Sequence, residues 1–242
     1  MWSAAINGFD FSILHWLNAL VGRSVKFDAA VVFMADNDIK GAAFVSVFWW
    51  YFLRKTDAAT TARTRDHVLR SLCAGMLAIV AARALALTLP FRVRPRFEPA
   101  LHIVVPPDSF TSFVNWSSFP SDHVAMFSAL AVGLWFISWR AGLLALLYTT
   151  FIIGLPRIYL GIHYPTDEIV ALALGGVIGY WMNVTAVCRP LTSRALRWES
   201  ASPGSFYWML FIVTFEFSTM FDSLRIIALQ ALHFVAYIAR LL

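Results

Sequence analysis

The chain has 242 residues, of which 60% are hydrophobic and 14% are charged, and its formal net charge is +5. Soluble globular domains carry about 25% charged residues, so this composition excludes an ordinary soluble protein and indicates an integral membrane protein. The basic residues are divided among short loops and do not share one face, which favours a membrane-topology signal over nucleic-acid binding.

Several apolar stretches approach the roughly 20 residues that a helix needs to cross a bilayer, and none alternates as a barrel strand does. The sequence therefore predicts an all-α, polytopic membrane protein, with residues 1–242 forming a single membrane domain around a six-transmembrane-helix bundle. An interfacial N-terminal helix is expected over residues 9–21. A C-terminal apolar helix is expected after Asp222, and we favour an interfacial position for it over a seventh span. The six spans are expected at about 41–53, 68–89, 122–138, 143–160, 164–184 and 205–221.

Single residues mark where these segments end. Pro90 stops the second span because its ring cannot continue the helical hydrogen bonding. Gly161 permits a sharp turn after the fourth span. The acidic stretch "DND" at 36–38 lacks the remainder of a calcium-binding loop, so it is expected to be a solvated turn before the first span.

The distribution of basic residues predicts the orientation of the chain. With six spans, the second-to-third and fourth-to-fifth loops lie on one side of the membrane. The loops on the other side carry nine basic residues: Arg54, Lys55, Arg63, Arg65, Arg70, Arg140, Arg189, Arg194 and Arg197. The positive-inside rule makes those loops cytoplasmic. The second-to-third and fourth-to-fifth loops then face outward, into the periplasm if the host is a Gram-negative bacterium.

Polar residues cluster on that outer side in the stretches "FRVRPRF" (91–97), "FPSDH" (119–123) and "PRIYLGIHYPTD" (156–167). A guanidinium group offers several donors in one plane and keeps its charge, so Arg94 and Arg157 are suited to clamp a phosphate. Ser121 is a good N-cap for the third span, and the unpaired amide groups at a helix start favour an anion. These stretches therefore predict a phosphate-binding site.

Two histidines and one carboxylate could perform chemistry on that phosphate. His163 and Asp167 are four residues apart at the start of the fifth span, so the carboxylate is expected to accept a hydrogen bond from one imidazole nitrogen. The other nitrogen is then free to attack phosphorus. His123 is the candidate general acid, because a histidine can protonate a leaving oxygen near neutral pH.

The residues "R-P" at 94–95, "PSDH" at 120–123 and "R-x5-H-x3-D" at 157–167 resemble the three signature motifs of the type 2 phosphatidic acid phosphatase superfamily, which consists of integral membrane lipid phosphatases. The resemblance covers residues 67–184, the expected phosphatase core. It implies a mechanism with no metal and no cofactor, through a phosphohistidine on His163. It also implies that Asp167 orients His163, that His123 is the general acid, and that the phosphoryl group is held by Arg94, Ser121 and Arg157.

The first motif departs from the family pattern, which is Lys-x6-Arg-Pro. Leu87 stands where the lysine is expected. Arg83, Arg92 and Arg96 are the candidates to replace its charge, so Arg83 and Arg92 join the predicted phosphate-binding residues. An arginine inside a span is costly unless it is used or paired, so a structural ion pair of Arg83 with Glu216 stays an equal alternative. Pro156 replaces a serine that the third motif usually has. This change removes one hydroxyl group near the phosphate, and we expect only a modest effect from its loss.

The leading functional hypothesis is a membrane lipid phosphatase acting on the outer face, with undecaprenyl diphosphate or a phosphatidic acid-type lipid as substrate. A lipid phosphotransferase, which passes the phosphoryl group to another acceptor, is the alternative within enzymes. A transporter or flippase is disfavoured, since the ionisable residues gather at one face and not at the midplane. The expected partners are the lipid substrate and the bilayer.

Overall fold

A computed structural model describes residues 7–36, 38–107, 109, 116–222, 224 and 230. Every regular element in these residues is helical and no strand occurs among them, which confirms the all-α fold class. Two short 3-10 turns lie at Pro95–Phe97 and Pro99–Leu101, and a π-helical turn lies at Thr149–Gly154. The α-helices are α1 (Gly8–Asn18), α2 (Val25–Asp36), α3 (Ile39–Leu53), α4 (Ala58–Thr88), α5 (Asp122–Ile137), α6 (Trp139–Tyr148), α7 (Leu155–Tyr159), α8 (Pro165–Val184), α9 (Arg189–Ala201) and α10 (Pro203–Ser218).

Two helical segments of the described chain are long and apolar enough to cross a membrane. One is α4, and the other is the continuous helix Trp139–Tyr159, which α6, the π-helical turn and α7 form together. The pair α8 and α9, bent by 69°, is a third candidate if it is counted as one span. Helices α3 and α5 are apolar but shorter. These segments support an integral membrane protein.

Each of the six predicted spans coincides with a helix, but two boundaries differ from the prediction. Helix α4 begins at Ala58 and not near Val68, because Asp57 caps it by accepting a hydrogen bond from the Thr60 amide at 2.9 Å. The predicted loop after the fifth span contains helix α9. The predicted C-terminal apolar helix lies outside the described residues, apart from residues 224 and 230.

Helix α5 lies in the middle of the bundle and packs against α4, α6 and α8. Small residues allow the backbones of α5 and α8 to touch. A Cβ atom on Gly175 would lie 2.0 Å from the Ala125 carbonyl oxygen, and one on Gly179 would lie 2.6 Å from the Ala129 carbonyl oxygen. Close contact through small residues is a common means of helix association in membranes. These contacts hold the first turns of α5 against the middle of α8.

The two ends of the bundle differ in their polar contacts. At one end, Arg65 pairs with Glu199 at 2.8 Å, and Arg70 donates hydrogen bonds to the carbonyl groups at the end of α8. At the other end, α4 and α7 finish while α5 and α8 begin. Because His123 lies in the first turn of α5 and His163 directly precedes the N-cap of α8, the predicted site residues gather at this second end.

Candidate active site

A cavity of about 340 Å³ opens at this second end, and we call it the polar cavity. It lies among the end of α4, the first turn of α5, the connection from α7 to α8 and the connection from α2 to α3. Its lining combines cations, carboxylates and both predicted catalytic histidines: Ala35, Asp36, Asp38, Lys40, Arg83, Arg94, Trp116, Asp122, His123, Arg157, Ile162, His163, Ser218, Thr219, Met220 and Asp222.

His163 is buried in the short connection between α7 and α8. Gly161 has a φ of +64°, which glycine adopts without strain, and it turns the chain so that His163 faces the cavity. The Nδ1 atom of His163 lies 2.7 Å from the Ser118 carbonyl oxygen, which can only accept, so Nδ1 carries the proton. The lone pair therefore lies on Nε2, which is 3.4 Å from Nη1 of Arg94.

Asp167 does not make the predicted hydrogen bond to His163. Its Oδ2 lies 3.7 Å from Nδ1 of His163, which is ion-pair range, and the same oxygen accepts from the Tyr164 amide at 2.8 Å. The backbone of Ser118 is the group that orients the imidazole. Asp167 contributes negative charge behind the ring, at the start of α8.

Arg92 lies behind Asp167, and it is not part of the cavity lining. Its guanidinium pairs with Asp167 and, at 2.7 Å, with Asp10 of α1. It also stacks over the Tyr164 ring at 3.9 Å. Asp10 is fully buried and accepts from the Thr166 amide at 2.8 Å. Two carboxylates thus engage Arg92 outside the cavity lining, and its contact with phosphate stays a prediction.

His123 stands on the first turn of α5 and lines the same cavity as His163. Its Nδ1 lies 2.9 Å from a carboxylate oxygen of Asp122, which accepts a hydrogen bond from it. The other ring nitrogen, Nε2, is not part of this hydrogen bond. Asp122 also pairs with Arg83, whose guanidinium lies over the Trp116 ring at 4.2 Å. Arg83 thus forms an ion pair, as the structural alternative expected, but with Asp122 in place of Glu216, and its side chain also reaches the polar cavity.

Arg94 and Arg157 lie on the cavity wall beside His163. Arg94 donates to the Ile162 carbonyl at 3.1 Å and to the Trp116 carbonyl at 3.3 Å. Burial lowers the pKa of Arg94 to about 10, so the group keeps its charge at neutral pH. Arg157 is buried as well, and its Nε has no hydrogen-bond partner among the described residues. A buried guanidinium with an unsatisfied donor is suited to bind an anion.

Ser121 has a structural position. It is fully buried, caps α5 by accepting from the Val124 amide at 3.5 Å, and is absent from the cavity lining. As an N-cap it places the first turn of α5, which carries Asp122 and His123, and its contact with phosphate stays a prediction.

The structure adds cavity residues that the sequence did not single out. Lys40 and Asp38 reach the cavity from the start of α3, and Asp36 from the end of α2, so the predicted solvated turn faces the site. Asn37 lies outside the described residues. Leu87, at the position of the missing lysine, is 85% exposed and lies away from the cavity. The sequence did contain one sign of a role for Lys40, which is a charged residue at the start of an apolar helix.

Residues 69–187 match the PAP2 superfamily. The chain thus carries a PAP2-superfamily domain, which confirms the resemblance of its three motifs. The chain is also similar to undecaprenyl-diphosphatase BcrC of Bacillus subtilis (strain 168), with 24% identity over 193 residues that cover 78% of this chain and 90% of the relative. No solved structure matches the chain. Together the family match and the relative support a lipid phosphatase of the undecaprenyl-diphosphatase type.

Proposed function

We propose that this protein hydrolyses the phosphate or diphosphate head group of a membrane lipid, with undecaprenyl diphosphate as its substrate, through a phosphohistidine on His163. One observation carries the proposal. The lone pair of His163 Nε2 points at Arg94 inside a cavity that also contains Arg83, Arg157 and His123. A nucleophile beside a set of fixed cations and a second histidine is the constellation that phosphoryl transfer requires.

The proposed reaction has two steps. Nε2 of His163 attacks the terminal phosphorus, the bond from phosphorus to the bridging oxygen breaks, and His123 gives a proton to the departing lipid phosphate. Water then attacks the phosphorus while His123 takes a proton from it, and the P–N bond breaks to release inorganic phosphate. The Ser118 carbonyl accepts the hydrogen bond from Nδ1 of His163 throughout, and the nearby Asp167 carboxylate balances the positive charge that the ring gains. Arg94, Arg157 and Arg83 balance the charge on the phosphoryl oxygens.

The proposed topology follows the six helices that coincide with the predicted spans. We assign crossings to α3, α4, α5, the helix Trp139–Tyr159, α8 and α10, with residues 67–184 as the phosphatase core of a single membrane domain. The end that carries Arg65 and Arg70 faces the cytoplasm in this proposal, because basic residues gather there. The polar cavity then opens outward, at the depth of lipid head groups.

Phosphate release by the purified protein tests the proposed function. In detergent with EDTA present, we expect inorganic phosphate from undecaprenyl diphosphate, because the chain's own cations balance the phosphoryl charge. Phosphatidic acid serves as the comparison substrate. Release from neither lipid would contradict a hydrolase. Radiolabel on an acceptor lipid, in place of free phosphate, would instead support the phosphotransferase.

Replacing Lys40 tests how the chain compensates for the missing lysine of the first motif. We expect Lys40→Ala to lower kcat/KM about tenfold to a hundredfold, since a charge-assisted hydrogen bond contributes about 1.5–3 kcal/mol. Leu87→Lys should not restore the loss, because residue 87 lies away from the cavity. Lys55→Ala is the matched control, at the exposed far end of α3. A Lys40→Ala protein as active as Lys55→Ala would remove Lys40 from the site.

A further inference from the structure

A second cavity, of about 320 Å³, lies on the side of the bundle among α3, α5 and α6. Helix α3 contributes Ala43, Phe44 and Val47 to its lining, and helix α6 contributes Ala141, Ala145 and Tyr148. We call it the apolar groove, because the Tyr148 hydroxyl is the polar side-chain group in its lining. The residues that line the apolar groove take no part in the two proposed reaction steps.

The apolar groove begins where the polar cavity ends. The Tyr148 hydroxyl donates a hydrogen bond to the backbone carbonyl of Lys40 at 3.2 Å, and the Lys40 side chain lines the polar cavity. Ala43 and Phe44 follow Lys40 by three and four residues on a helix, so they lie one turn below it on the same face. The two cavities are therefore neighbours along α3.

The shape of the apolar groove suits a chain that enters from the bilayer. Leu144 and Val47 on its rim are 67% and 36% exposed, so the groove is open at the side of the bundle. Ala43, Ala141 and Ala145 are small, which leaves width for a branched chain. From Ala141 to Tyr148 the groove follows seven residues of α6, a length of about 10 Å.

We propose that the apolar groove binds the first isoprene units of the substrate's polyprenyl tail while the diphosphate occupies the polar cavity. This inference rests on the proposed function, since a bound head group requires an exit for its tail. Leaving the bilayer for an apolar groove brings no hydrophobic gain, so the benefit is close packing and correct placement of the terminal phosphorus at His163.

A series of diphosphates with tails from one isoprene unit upward tests this inference. Ala43→Leu fills the groove, and Ala42→Leu is the matched control, because Ala42 is exposed on α3 and lies outside the groove. For Ala43→Leu we expect kcat/KM about tenfold below wild type on the long tails, as packing and placement are lost, and unchanged on the single-unit diphosphate. Ala42→Leu should follow wild type at every tail length.

The outcomes separate this inference from the proposed function. If wild type hydrolyses the series and the two leucine variants behave alike, the groove assignment is overturned while the phosphatase stands. An equal loss at every tail length would also overturn it, because the added side chain would then disturb the site and not the tail. If wild type releases no phosphate from any diphosphate, the proposed function falls first and the groove assignment with it.

Discussion

Phosphate release should fall by about 10⁴-fold or more when His163 is replaced by alanine, because the proposed covalent intermediate forms on its Nε2 atom. Activity is measured on undecaprenyl diphosphate in detergent. Rapid quenching with terminally labelled substrate should leave an acid-labile label on the wild-type protein and none on the variant. Retained turnover in His163→Ala would overturn the assigned nucleophile.

His15→Ala is the control for this change, since His15 is a histidine of α1 that lies away from the polar cavity. The pH profile gives a second measurement. Burial lowers the pKa of His163, so the imidazole stays neutral, and able to attack, at pH values below its ordinary pKa of 6.5. The wild-type kcat/KM should accordingly persist as the pH falls through 6.5. An acidic limb above pH 6.5 would contradict a buried, neutral nucleophile.

His123→Ala should lower turnover of undecaprenyl diphosphate by about 10²–10⁴-fold, the range typical for loss of a general acid. The size of the loss should depend on the leaving group. An aryl phosphate with an acidic phenol leaves without needing a proton, so its phosphorylation of His163 should be far less impaired. Single-turnover measurements on both substrates isolate that first step. Equal losses on the two substrates would assign His123 to phosphate binding instead of proton transfer.

Much of the helical framework could be predicted from apolar length and from residues that end helices. Pro90 follows the end of α4, Ser121 caps α5, and Gly161 turns the chain before α8. The prediction placed the start of α4 too late because it followed apolar residues, whereas the first turns of that helix are polar and depend on the Asp57 cap. Helix α9 was missed for the same reason.

The partner of His163 could not be predicted from residue spacing. The i, i+4 rule requires both residues to be helical, but His163 precedes the N-cap Tyr164, and Asp167 turns back to bond the Tyr164 amide. The acceptor is the Ser118 carbonyl, a group that every residue has and no side-chain pattern reveals. Lys40 was not predicted as a site residue for a related reason, since only the tertiary fold brings α3 against the site.

The backbone contact of Gly175 and Gly179 with α5 has a consequence for how this site could diverge. Helix α5, which carries His123, and helix α8, which begins two residues after His163, approach as closely as their main chains allow. The spacing of acid and nucleophile is therefore insensitive to side-chain substitution elsewhere in the bundle. Ala42 and Ala43 of helix α3 are exposed and take no part in that contact. Substitutions that adapt the protein to lipids of different width would therefore occur at exposed positions of α3, while His123 and His163 stay unchanged.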